Sequence, residues 1–211
     1  MLNLINKEFV FTKKQALILV AYCILVPIAL NGDSGANLYM ASVFIPFVAT
    51  SLMVNKICAI EDSVDMRILL KRLPYKGHIR VAARFSFAFI VLALSLLYLT
   101  CIQAFAFRQG EFLYLLKDNV LLFLLFATYY GLYLTLYYWK GCHFAQYSTY
   151  FCFIGYFGVS LLMNRFGKGE AIQKLIQSIA ANFMILVIVC LGIIFLLFLL
   201  ASFCEKNREL I

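Results

Sequence analysis

An all-α fold that crosses the membrane several times is what this sequence predicts, and three observations predict it. Six long apolar stretches fill most of the 211 residues. The segments between them are too short to hold a soluble domain. The composition is 64% hydrophobic and only 13% charged, with a mean hydropathy of +0.93, far from the balance of a water-soluble domain. A chain this apolar would have no surface to show to water, so the bilayer is its solvent.

About 20 apolar residues in a helix cross a hydrocarbon core of about 30 Å, which sets the reading of the stretches as spans. They run over 16–30, 38–54, 85–107, 120–139, 144–163 and 179–203. The first two contain Pro27 and Pro46, and each proline leaves a carbonyl that neighbouring helices must satisfy. Lys140 and His143 mark a tight turn between spans four and five. Before the first span, residues 1–14 place Leu2, Ile5 and Phe9 on one helical face, which suits either a short helix lying in the cytoplasmic membrane interface or an ordinary basic N-terminal tail. The apolar run continues through Pro27 with no small-residue cleavage site, so the segment reads as retained rather than as a signal peptide.

Orientation follows from the bias of Lys and Arg toward the untranslocated side. With both termini in the cytoplasm, thirteen of the eighteen basic residues fall inside, against five (Arg108, Lys117, Arg165, Lys168 and Lys174) outside. The net charge of +8 is thus a topology signal and not a footprint for nucleic acid.

Several function classes lose support. The seven cysteines lie in spans or at cytoplasmic ends and form no CxxC pair, while His78 and His143 have no ligand-spaced partners, so neither a disulfide framework nor a metal site is expected. There is no GxxxxGK[ST] phosphate loop and no GxSxG elbow. The spans hold essentially no charged residue, although each would cost at least about 2.5 kcal/mol and would mark an ion or proton pathway. Energy, if spent, enters from the cytoplasm.

Charge gathers instead between spans two and three. Over 61–73 the chain reads as an amphipathic helix: Val64 and Ile68 share a face with Ile60, and Glu61, Asp62 and Asp65 lie toward the N-terminus, where the helix dipole favours acids. Leu73 and Pro74 then make a rigid corner. Span four is rich in tyrosine. Tyr130, Tyr133 and Tyr137 share one helical face, which suits either the lining of an amphipathic substrate's path or ordinary packing with an aromatic belt at the interface. Span five offers Ser148, Cys152, Gly155 and Gly158, small residues that fit a dimer seam or packing within the chain.

In the 61–85 stretch the sequence resembles the permease subunits of type 2 ATP-binding cassette (ABC) exporters of bacteria. These carry an acidic pair, a short amphipathic helix, a Leu-Leu-x-x-Leu-Pro element, a basic residue, an aliphatic residue and a basic-aromatic pair. The matching residues are Glu61 and Asp62, Leu69 and Leu70, Leu73 and Pro74, Lys76, Ile79, and Arg84 with Phe85. Arg72 stands where Ser is usual, and Arg84-Phe85 where Lys-Tyr is usual. The opening Met-Leu-Asn-Leu-Ile-Asn-Lys-Glu-Phe also resembles the family's elbow helix.

The resemblance implies a half-transporter in a bacterial plasma membrane. It would have no catalytic residues and bind no cofactor. Its partners would be a second permease copy or a paralogue and cytoplasmic ABC ATPase subunits that hold ATP and Mg²⁺. The 61–73 segment would be the coupling helix, with Ile68 and Leu69 as apolar anchors in an ATPase groove and Glu61, Asp65, Arg67 and Lys71 setting orientation. Related permeases export cytolytic or antimicrobial peptides, so an amphipathic peptide is the expected cargo. Three rival readings remain: a secondary carrier or channel, an intramembrane enzyme, and a non-transporting immunity or assembly protein.

Overall fold

Every described element is a helix. The computed structural model describes residues 2–14, 35–63, 66, 77–106, 112–166 and 183–209, and no strand occurs among them. In chain order the helices are α1 (Leu2–Phe11), α2 (Gly35–Glu61), α3 (Gly77–Ala106), α4 (Phe112–Lys140), α5 (Cys142–Phe166) and α6 (Phe183–Glu209). Among the described residues three stretches are long and apolar enough to cross a membrane: Gly77–Cys101, Lys117–Lys140 and Phe183–Asn207. These hold most of the expected third, fourth and sixth spans. The expected first span lies outside the described residues, as do 179–182 of the sixth and, apart from Glu61, Asp62, Ser63 and Met66, the expected coupling helix.

α4 is the centre of the bundle and packs against α2, α3, α5 and α6. α4 comes close to α6 at Gly131, where a Cβ would sit 3.2 Å from Leu197 Cδ1. One turn on, the Thr135 hydroxyl lies 2.8 Å from its own helix's Gly131 carbonyl and 3.1 Å from the Leu197 carbonyl of α6, a polar tie in an otherwise apolar seam. Of the apolar clusters in the interior, one joins Met53, Ile57, Phe87 and Val91 beneath Phe9 of α1, and two include residues of α4. Of those two, one joins Val54, Phe85, Tyr133, Leu134, Tyr138 and Ala201. The other joins Phe47, Leu92, Leu96, Phe126 and Tyr130.

α6 shows why this bundle needs lipid. Ala201 is buried, but Met184, Ile188, Phe195, Leu196 and Phe203 are each at least 60% exposed. A stripe of that size facing water would be an aggregation surface, whereas against acyl chains it costs nothing. α1 is different in kind: its ten residues lie on α3, with Leu4 buried and the Phe9 ring meeting Phe87 edge-on at 4.9 Å.

Candidate functional site

α1, the C-terminal ends of α2, α4 and α6 and the N-terminal ends of α3 and α5 meet at one end of the bundle, the end that the basic-residue count leads one to expect in the cytoplasm. α3 starts at Gly77, so Arg80 and Arg84, four apart, lie on one face of its first two turns. Arg84 is the largest fully buried side chain, with 2% of it exposed. An isolated charge there would be prohibitive, and its surroundings show how it is compensated.

Two carboxylates come to Arg84 from elements far apart in sequence. From α1, Glu8 Oε1 accepts a bond from Arg84 Nε at 3.2 Å. From the last turn of α2, Glu61 Oε2 pairs with Arg84 Nη2, and its other oxygen takes Lys7 Nζ at 2.9 Å. Cys58, one turn before Glu61, offers its sulfur to Arg84 Nη1 at 3.7 Å, and the guanidinium lies 5.5 Å from the centre of the Tyr137 ring on α4. The cluster therefore ties α1, α2, α3 and α4 at one point. A neighbouring pair, Arg80 with Glu205 at 3.2 Å, ties α3 to the end of α6.

The two carboxyls are not equivalent. Burial pushes both up from the ordinary range, but at Glu61 the attraction of Arg84 and Lys7 outweighs burial and holds the group below it. At Glu8 burial wins over the pull of Arg84, and the charge of Glu61 adds to the rise. Glu8 Oε2 is buried and has no hydrogen-bond partner among the described residues, which fits a group left with the weaker share of one guanidinium.

Asp62, next to Glu61, does different work. Gly141 joins α4 to α5 with φ of 94°, a left-handed conformation that closes α4 through Gly141 N donating to the Tyr137 carbonyl at 2.8 Å. The Gly141 carbonyl accepts the first bond of α5, from Ala145 N at 3.2 Å, so a residue without a side chain stands where a capping residue would stand. Asp62 supplies the missing acceptor from α2's end: its Oδ2 takes the Cys142 N–H at 3.1 Å, beside the positive end of the helix.

Of the expected coupling residues, then, Glu61 and Asp62 turn inward to hold helices together. Asp65, Arg67, Ile68, Leu69, Leu70, Leu73 and Pro74 lie outside the described residues. The tyrosine face packs against α2. Tyr130 donates to the Phe47 carbonyl at 2.6 Å and meets Ser51 Oγ at 2.9 Å, while Tyr133 donates to Asn55 Oδ1. Tyr130, Tyr133 and Tyr137 are each at most 3% exposed. Glu8 and Lys7 were not singled out by sequence reasoning, and Arg84 was noted only within a motif. The signal was available: an acid and a base side by side in a short helix that otherwise shows an apolar face.

Among the described residues no group of three His, Cys, Asp or Glu side chains could hold a metal ion. A family model described as "ABC-2 family transporter protein" matches residues 3–204. No curated protein and no solved structure matches the chain.

Proposed function

The chain belongs to the ABC-2 transporter family and is a membrane transport component, and from that premise we propose that it is the permease subunit of an ATP-driven exporter of amphipathic peptides. ATP and Mg²⁺ act on separate cytoplasmic ATPase subunits, and the permease works with a second copy or a paralogue. The 61–73 segment is the part that meets a groove of the ATPase, with Ile68 and Leu69 as anchors.

The observation that supports this best is the cluster on Arg84. Glu61, at the foot of the 61–73 segment, is bonded both to the first residues of α3 and to α1. A displacement delivered to that segment therefore reaches α1, α2 and α3 together, and through Tyr137 and Asp62 it reaches α4 and α5. Charge-assisted bonds in a water-poor site are stiff enough to move helices as a body.

Affinity purification from the native membrane in mild detergent, with mass spectrometry of the copurifying chains, tests the assembly. A stoichiometric subunit with Walker motifs is expected; the chain alone, or only self-associated, would overturn the reading. Peptide efflux unchanged by deletion of the gene would remove the proposed cargo and leave the assembly standing.

A further inference from the structure

Between α4 and α5 runs an open groove of about 590 Å³, walled by Tyr129, Leu136 and Trp139 of α4 and Phe144, Phe151 and Cys152 of α5. From Tyr129 to Trp139 is ten residues of helix, about 15 Å at ~1.5 Å per residue, half of a hydrocarbon core of about 30 Å. The groove is thus one leaflet deep. Its deep end is already satisfied internally, since Tyr129 donates to Thr149 Oγ1 at 3.0 Å. Its walls offer apolar and aromatic contact, with Phe151 74% exposed.

The shallow end carries a cation. Lys140 Nζ stands 4.5 Å from the centre of the Trp139 ring and 4.8 Å from that of Phe144, both of them wall residues. No carboxylate pairs with it among the described residues. Among the described carboxylates at the same end a second copy offers a poor match for it, because Glu8, Glu61 and Glu205 are held by the chain's own Arg84, Lys7 and Arg80, and Asp62 accepts the Cys142 N–H. An acyl-deep trough below a positive charge at interface level matches one kind of occupant.

We propose that the α4–α5 groove is a binding site for an anionic phospholipid, with an acyl chain along the aromatic wall and the headgroup phosphate on Lys140. Aromatic rings at the interface hold the ammonium over the groove, and the anionic surface of the leaflet supplies the ligand. The site rests on α4 crossing a bilayer and on neither an ATPase partner nor a direction of transport.

Trp139 is the chain's single tryptophan, so its fluorescence reports on the groove. The full chain is reconstituted in phosphatidylcholine vesicles containing either phosphatidylglycerol or phosphatidylcholine labelled with the same acyl-chain nitroxide. Saturable quenching at a several-fold lower mole fraction of labelled phosphatidylglycerol is expected. Lys140→Gln should abolish that preference, Cys152→Phe should lower the quenching by filling the groove, and Lys206→Gln, an exposed lysine on α6, should change nothing. Equal quenching by the two headgroups, a preference that survives Lys140→Gln, or an equal loss with Lys206→Gln would each overturn the site. So would a Trp139 shielded from both lipids in a self-associated chain, which would put a second copy in the groove.

Discussion

Arg84 concentrates the residue-scale physics. A buried ion pair is a weak source of net stability, because desolvation takes back most of what attraction gives, but removing one partner leaves the others stranded. Arg84→Gln strands Glu8 and leaves Glu61 with Lys7 alone, and a loss of about 3–5 kcal/mol is expected, read as a collapse of the thermal midpoint in detergent. Glu8→Gln should be much milder, since Lys7 and Arg84 remain with Glu61. The two acids also give opposite pH dependences. The pKa of Glu61 is held below the usual 4.5, so the stability it contributes is present above that value and is lost as pH falls through its lowered pKa. The pKa of Glu8 is raised, so its contribution is full below 4.5 and is lost as pH rises through the raised pKa. Midpoints measured against pH should therefore fall on both sides for the native chain. Glu8→Gln should keep the acid fall and flatten the rise-side loss, and a profile unchanged by this substitution would mean that Glu8 does not titrate there.

At the scale of elements, the apolar runs made the helices legible, and the structure differs mainly at their ends. The expected third span begins at Phe85, whereas α3 begins at Gly77, eight residues earlier, because its first two turns find carboxylates for Arg80 and Arg84. Hydropathy sees only a charge that should lie outside the membrane; it does not see the partner that lets the helix carry that charge inward. The α4–α5 turn was legible from Lys140 and His143, but not its cap, because Asp62 is eighty residues away in the chain. Three substitutions test the turn. Gly141→Ala forces a Cβ into left-handed backbone, at a cost of about 1–2 kcal/mol. Asp62→Ala removes the acceptor for the Cys142 N–H, at about 0.5–2 kcal/mol, while Asp62→Asn keeps an oxygen and should recover much of it. Thermal midpoints of the three variants check the pattern, which fails if Asp62→Asn is as harmful as Asp62→Ala.

For the whole molecule, the question is whether holding helices together and passing on motion are the same job. The 61–85 motif is where an ATPase is expected to act. Its sequence could not tell that Glu61 and Asp62 turn inward, since contacts made across the bundle leave no periodicity in the chain. If the segment after Glu61 docks the ATPase, Leu69→Asp or Ile68→Asp should abolish copurification of that subunit and leave membrane insertion intact. If the Arg84 cluster passes the motion on, a different defect should follow from Arg84→Lys. An ammonium keeps the charge but lacks the planar fork that lets Arg84 reach Glu8 and Glu61 at once. The permease should then insert and still bind its ATPase, yet lose most of its peptide efflux, because α3 would no longer be tied to both α1 and α2 while Lys7 still holds Glu61 to α1. Efflux that survives Arg84→Lys while Leu69→Asp still severs the complex would place the transmission elsewhere, in the cap from Asp62 to α5, and would leave the Arg84 cluster as a support for the bundle alone.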